Sequence, residues 1–528
     1  MKYTTKIFQK TKGIIDSIEN SKTPMIYFFL TFLFVVSIRN FFDQITDTSA
    51  SLPTKFSIGL HQLSLMNLLS NTFWYLGLAI LLMIVTYIFT HRKIDKIAKL
   101  VFTSFLVLLS VSFFDSILSL GVGFDQIYML PSVHDNILLR WITFSIPFGT
   151  AGVTPGMKIE TAIVMTVFFL YVFTKKKSSI LAAIGAFTIY SAVFFWGCMP
   201  FAIKYFLIFF ELPYELSSHL ILNFILLLML FLGFITYYVY NKKYPIQLIK
   251  DMDPFRIIHY LLMFVIGIVF GNYVSYASFT LTETNIFHWF FAPAAIIFAG
   301  LFALVVNALA DVNIDKISNP NRSLIDGTIP RDHFIKVGII SFFLACLYAS
   351  VIDQIAFLII FLVMGSYFIY SAPPLRLKRV FFFSKFWISF NSLILIILGY
   401  YFVTGRTDIP YEIVLAFFIG FTALINFIDI KDYEGDKKEG IKTIPTVLGL
   451  KKGKLVIGII FLFCYIAFGI VLQNMFILIF MILSGVLQFF LINREDYKES
   501  YVFSLYLIAF GVIIIGTFFD LVTIPGLV

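Results

Sequence analysis

Residues 307–330 read NALADVNIDKISNPNRSLIDGTIP and directly follow about twenty almost wholly apolar positions. Asn307, Asp311 and Asp315 recur every four residues, so on a helix running on from the apolar segment all three side chains project from one face, stacked turn over turn. Two carboxylates and an amide that close make an oxygen cage suited to a hard divalent cation. The arrangement returns much later at Asp429, Asp432 and Asp436, offsets of three and seven that again share one helical face at the end of an apolar segment. The two clusters are expected to face each other across one cavity.

The surrounding chain is built for a bilayer. Of 528 residues, 60% are hydrophobic, 19% aromatic and only 13% charged, and the mean hydropathy is +0.93. This composition excludes an ordinary soluble domain and predicts an all-α polytopic membrane protein. The net charge of +9 is no sign of nucleic acid, because the basic residues fall in short loops between apolar segments rather than in one patch. Cys198, Cys346 and Cys464 lie within or beside apolar segments with no metal-ligand spacing, so neither a disulfide nor a zinc site is expected. The lysine-bearing residues 1–23 read as an amphipathic lead-in on the cytoplasmic side, without a signal-peptide cleavage site.

Segments long enough to span hydrocarbon fall at about 25–42, 71–90, 99–121, 158–174, 179–199 and 219–240. The stretch 194–212 reads either as an extension of the fifth helix or as a re-entrant piece broken at Pro200. Residues 241–254 (NKKYPIQLIKDMDP) have the polar, proline-bearing composition of a cytoplasmic linker. The predicted organisation is therefore a bundle of about six transmembrane helices over 1–245, followed by a nine-helix bundle over 246–528. In the second bundle, spans are expected near 256–275, 286–310, 335–350, 354–371, 386–404, 411–428, 455–472, 474–492 and 501–520.

Loop charge orients the second bundle. Alternate loops carry Lys316, Arg322, Arg331 and Lys336; Arg376, Lys378, Arg379 and Lys385; Lys431, Lys437, Lys438, Lys442, Lys451, Lys452 and Lys454; and Arg494 with Lys498, whereas the opposite loops hold only Arg406. The positive-inside tendency then puts the N-terminus and both aspartate clusters on the cytoplasmic face of the cell membrane. Carboxylates at that depth are costly and normally face a wet cavity or a partner. Solvated helix ends would explain a lone aspartate but not two clusters at one-face spacing, each followed by a long basic loop. Magnesium is held by a few carboxylates together with substrate phosphates, so the two half-sites point to a diphosphate bridged by Mg2+.

The wider sequence resembles the UbiA superfamily of intramembrane prenyltransferases. Asn307-x-x-x-Asp311-x-x-x-Asp315, continued by KISNPNRSLIDGTIP, is similar to the family's first signature, N-D-x-x-D-x-x-x-D and then N-x-x-R-P-L-x-x-G. Residues 429–449, DIKDYEGDKKEGIKTIPTVLG, resemble its second, D-x-x-D-x-x-x-D followed by G-x-x-T-x-P. Between them Tyr370-Ser371-Ala372-Pro373-Pro374 with Lys378-Arg379 looks like the family's tyrosine and Lys-Arg loop. Two departures stand out: Ala308 replaces the first aspartate, removing a possible metal ligand, and Ser323 replaces the proline after the arginine.

The resemblance, over about residues 250–528, implies Mg2+-dependent transfer of a prenyl group. Asn307, Asp311, Asp315, Asp429, Asp432 and Asp436 would hold the metal ions, with the aspartates catalytic. Asn307, Arg322, Tyr370, Lys378 and Arg379 would bind substrate, the basic residues neutralising the diphosphate and Tyr370 shielding an allylic cation. The D-x-x-D-Y-E-G-D-K-K-x-G form looks most like the branch that adds geranylgeranyl to geranylgeranylglyceryl phosphate in ether-lipid synthesis. Prenylation of an aromatic acceptor on the way to quinones is the alternative. The expected partners are a prenyl diphosphate donor, a lipid or aromatic acceptor and membrane lipid, with no nucleic acid.

Two other classes fit less well. A divalent-ion or lipid transporter would place acidic groups at mid-membrane depth along a path through both leaflets, not at one set of helix ends. A CDP-alcohol phosphotransferase needs aspartates around an Asp-Gly and an Ala-Arg on adjacent helices, and Asp326-Gly327 lacks that context. Residues 1–245 carry scattered polar groups (Arg39, Asp43, His61, Asp115, His134, Asp135, Arg140, Glu160). These read either as an outward-facing site or as loop solvation and salt bridges, and no nucleophile or ligand motif chooses between the two.

Overall fold

The computed structural model describes residues 2–46, 65–120, 124, 136–144, 153–215, 217–275, 281–283, 285–380, 383–438 and 440–518, and among them the chain is entirely helical. Fourteen helices in these residues are long and apolar enough to cross a membrane, nine of them from Pro254 onward. This is a multi-pass integral membrane protein. Its surface agrees: Phe463, Phe476 and Phe490 are 67%, 85% and 63% exposed, which only a hydrocarbon solvent makes favourable over whole helix faces. Contacts divide the chain into two units, Met1–Lys242 with Thr282–Phe287, and Lys243–Leu281 with His288–Val528.

The first unit holds α1 (Lys2–Glu19), α2 (Met25–Thr46), α3 (Leu65–Thr90), α4 (Ile94–Ser104), α5 (Leu108–Leu118), α6 (Ile137–Thr143), α7 (Pro155–Lys176), α8 (Ser179–Gly197), α9 (Met199–Phe209) and α10 (Ser218–Tyr240). The expected span at 25–42 lies in α2. The expected third span is α4 and α5 joined by a 3-10 turn, Phe105–Val107. The ambiguous stretch 194–212 proves to be two helices meeting at Cys198, with Pro200 in the first turn of α9, where its missing N–H costs no hydrogen bond.

The polar groups of this unit mostly tie helices together. Glu19 on α1 accepts from Tyr171 Oη and Lys175 Nζ of α7, each at 2.7 Å, and Asp16 accepts from the same Lys175 at 2.9 Å. Arg39 Nη1 donates to Ser112 Oγ at 2.5 Å, and Asp115 accepts the Gly156 backbone N–H at 2.7 Å. Arg140 stands over the Phe201 ring, and Glu160 borders an apolar cavity between α3, α4, α5, α7 and α8. Asp43, His61, His134 and Asp135 lie outside the residues whose side chains are described.

The second unit runs α11 (Lys243–Met252), α12 (Pro254–Ser275), α13 (His288–Ala310), α14 (Val312–Ser318), α15 (Arg331–Ile352), α16 (Gln354–Ser371), α17 (Phe383–Thr404), α18 (Tyr411–Leu424), α19 (Asp429–Lys438), α20 (Ile444–Leu448), α21 (Leu450–Val471), α22 (Met475–Asn493) and α23 (Glu499–Phe518). The stretch expected to be a linker is largely α11. Pro245 sits in its first turn, Pro245 and Leu248 are buried, and Asp253 in the left-handed region (φ 60°) turns the chain into α12. Helices α12 and α17 cross at backbone contact: a Cβ on Gly267 would lie 2.0 Å from the Ile396 carbonyl oxygen, and one on Gly399 1.9 Å from that of Phe264. Small residues at such a crossing allow the close packing that holds membrane helices together. Further neighbours, α13 with α15 and α16, α16 with α17, α17 with α18, α18 with α21, and α21 through α22 and α23 back to α12, pack around a central cavity.

Candidate active site

The two aspartate clusters reach that cavity from separate helices. Helix α13 stops at Ala310 and α14 starts at Val312, yet the hydrogen bonds Asp311 N to Asn307 O and Asp315 N to Asp311 O, both 2.9 Å, carry the helical repeat through the joint. Asn307, Asp311 and Asp315 therefore stay on one face. Across from them, α18 tightens into a 3-10 turn, Ile425–Ile428, before α19 begins at Asp429, and α14 packs against α19. The cavity, about 240 Å3, is lined by all six cluster residues, together with Arg256, Arg322, Tyr370, Lys378 and Lys385. Its walls include Ile257, Ala303, Leu304, Ile388, Ile425 and Ile428.

The first cluster is held by cations. Asp311 accepts from Arg376 Nη2 at 2.7 Å through one oxygen and pairs with Lys378 through the other. Asn307 Oδ1 accepts from Ser371 Oγ at 3.2 Å and from Lys378 Nζ at 3.4 Å. Asp315 pairs with Arg322 Nη1 at 2.5 Å and accepts from Asn319 Nδ2 at 2.9 Å. Burial pushes the Lys378 ammonium below its ordinary value against the opposing pull of Asp311.

The second cluster is less satisfied. Asp429 Oδ1 pairs with Lys385 Nζ at 2.5 Å, but Asp429 Oδ2 and Asp432 Oδ1 are buried with no hydrogen-bond partner among the described residues. A buried carboxylate oxygen without a donor is costly, and a hard divalent cation is the group that suits it. The residues thus fit Mg2+. Among the described residues no three acidic, histidine or cysteine side chains converge on one point, so phosphate oxygens would have to complete the coordination, as they usually do for this ion.

The model of the UbiA prenyltransferase family matches residues 273–511. A digeranylgeranylglyceryl phosphate synthase of Pyrococcus horikoshii is 32% identical over 155 residues, 29% of this chain and 54% of that protein. A synthase of the same name from Methanobrevibacter smithii is 32% identical over 252 residues, 43% of this chain and 86% of that protein. The chain belongs to the UbiA prenyltransferase family. Among solved structures, a UbiA homologue from Archaeoglobus fulgidus bound to GPP and Mg2+ is 19% identical, covering 52% of this chain and 98% of that one with a TM-score of 0.41. The all-α polytopic fold and the family resemblance expected from the sequence both hold, with the N-terminal helices standing in addition to the UbiA portion.

In this UbiA-family chain, nine of the ten expected site residues line the cavity; Arg379, in the turn Leu377–Arg379, does not. Ala308 is buried but absent from the cavity lining. Three basic residues beside the clusters lie outside the expected set. Arg376 reaches Asp311 from a left-handed backbone (φ 49°), Lys385 pairs with Asp429, and Arg256 lies 3.9 Å from both Glu499 and Asp253. A signal for Arg256 was present. With His259, Tyr260 and Met263 it forms a stripe at helical spacing along an otherwise apolar segment, and polar groups there face a cavity or a partner. His259 contacts Ser392 Oγ at 3.1 Å, and Tyr260 shares a hydroxyl contact with Tyr367.

Proposed function

We propose that residues 246–528 transfer a geranylgeranyl group from its diphosphate to a prenylglyceryl phosphate. The observation that carries this reading is one cavity into which two acidic clusters, two of their oxygens unpartnered, and the cations Arg322 and Lys378 all project, with apolar side chains beside them. The diphosphate would lie among the charged groups, its tail among the apolar ones. Asn307, Asp311, Asp315, Asp429, Asp432 and Asp436 are the residues that would hold Mg2+, which when bound supplies Lewis-acid stabilisation of the leaving group.

The chain's own residues do the rest. As the C–O bond breaks, its electron pair passes to the diphosphate, and Arg322 and Lys378 neutralise that charge in a site of low dielectric. In the resting state these cations are held by Asp315 and Asp311, so they are placed before substrate arrives. The ring faces of Tyr260, Tyr367 and Tyr370, all lining the cavity, would shield the allylic cation, and exclusion of water would keep it from hydrolysis. The acceptor hydroxyl oxygen then forms the new C–O bond and its proton passes to an oxygen of the released diphosphate. The loop charges argue for a cytoplasmic site.

The named relatives support the lipid acceptor, and the Tyr-Glu-Gly-Asp run at 433–436 agrees. Purified protein with magnesium and geranylgeranyl diphosphate, given either geranylgeranylglyceryl phosphate or 4-hydroxybenzoate-like and naphthoate acceptors, tests the proposal. Product only with the glyceryl phosphate is expected; product only with an aromatic acceptor would replace this reading with the quinone one.

A further inference from the structure

The loop between α14 and α15 delivers Arg322 to the cavity, and the structure shows what fixes that loop. Ser323, fully buried, gives both its donors to Asp251. Its backbone N–H lies 3.2 and 3.4 Å from the two carboxylate oxygens, and its hydroxyl donates to one of them. Gln247, one turn earlier on α11, donates to Asp251 at 3.2 Å and to the Asn321 carbonyl at 3.4 Å. Arg322 thus sits between two anchored neighbours while its guanidinium reaches Asp315.

Asp251 is placed against local preference. It lies in the last turn of α11, where a negative charge opposes the helix dipole, and burial raises its carboxyl above the ordinary value while the Ser323 hydrogen bonds lower it. A side chain set at such cost, whose donors all come from Gln247 and Ser323, is spent on the loop. Where the family pattern has proline after the arginine, proline would offer neither the N–H nor the hydroxyl. The contact with Asp251 therefore depends on a residue other than proline at position 323.

We infer that Asp251 is a positioning residue which, through Ser323, aims Arg322 into the cavity for binding the diphosphate. The inference rests on the proposed function, since it needs a diphosphate at Arg322. It says that α11, at the entry to the second unit, is part of the site's support rather than a passive connection.

The test is calorimetric binding of magnesium pyrophosphate to the full-length protein in lipid nanodiscs, for wild type, Asp251→Ala, Asp251→Asn, Ser323→Ala, Arg322→Ala and the double variant Asp251→Ala/Arg322→Ala. Asp251→Ala is expected to weaken binding about tenfold, the size of one lost charge-assisted hydrogen bond. The double variant should bind no more weakly than Arg322→Ala alone, because residues acting through one group are not additive. Asp251→Asn keeps an acceptor oxygen for Ser323 and should stay within about twofold of wild type. If Asp251→Ala fails to fold, Ser323→Ala takes its place in the cycle, with about a threefold loss expected. Losses that add in the double variant, or wild-type affinity in Asp251→Ala, would overturn the inference. No binding by wild type would instead remove the proposed function, and this inference with it.

Discussion

Lys378 and Asp311 form an ion pair in which each side chain is only 10% exposed, and Arg376 occupies the remaining oxygen of the same carboxylate at 2.7 Å. An aspartate gripped by two cations at the edge of a membrane is poised for ligand exchange. Under the proposed function, an arriving diphosphate would offer the cations new partners and leave the carboxylate for a metal ion.

Lys378→Ala should therefore damage turnover more than folding, since Arg376 still covers Asp311. A fall in kcat/KM for the prenyl diphosphate of at least about 100-fold, about 2.7 kcal/mol of lost transition-state stabilisation, is expected. Steady-state kinetics beside a melting curve checks it; a large drop in melting temperature with unchanged kcat/KM would assign Lys378 a purely structural role.

Chelation should silence the protein, and the orphaned oxygens say where. With Asp429 Oδ2 and Asp432 Oδ1 lacking partners, Asp432→Asn should raise the magnesium concentration giving half-maximal rate by roughly tenfold or more. Titrating magnesium into EDTA-treated protein gives the number. An unchanged magnesium requirement would clear Asp432 of a role in holding the ion.

The crossing of α12 and α17 tolerates no side chain. Gly399→Leu must push a Cβ through the Phe264 carbonyl, and a cost above about 3 kcal/mol is expected because backbone cannot give way as a side chain does. Thermal unfolding in detergent would report it as a lower melting temperature; wild-type stability would mean the helices sit farther apart than described.

Much of the site was legible because its logic is local. Spacings of three and four residues put Asp311 with Asp315, and Asp429 with Asp432 and Asp436, on single faces, and apolar length marked the helices that carry them. What stayed hidden is long-range or set by single dihedrals. Nothing near Lys385 in sequence says that it pairs with a residue 44 positions on. Arg376 reaches Asp311 only because its backbone turns left-handed. Residues 241–254 read as linker because polar composition and prolines dominate, yet Pro245 falls in the one helical turn that accepts it, and burial of Leu248 completes the helix.

Asp251 also predicts a pH dependence. Its folded carboxyl is raised above 3.8, so its protonated form is favoured by folding. That contribution is complete below about pH 3.8, and it is lost as pH rises through the folded value. Asp251→Asn cannot ionise and should lack the loss. Melting temperatures of wild type and Asp251→Asn should diverge as pH rises above about 4, the variant becoming relatively more stable. Parallel curves would contradict the assignment.

The most direct measurement is pyrophosphate release from geranylgeranyl diphosphate by wild type, Asp311→Asn, Asp432→Asn and the double variant, each with magnesium and acceptor. If the two clusters act on one diphosphate, each single change should cut the rate by about 1,000-fold or more, and the double variant should be scarcely slower than either. Near-wild-type release from either single variant, or losses that multiply in the double, would contradict a shared site.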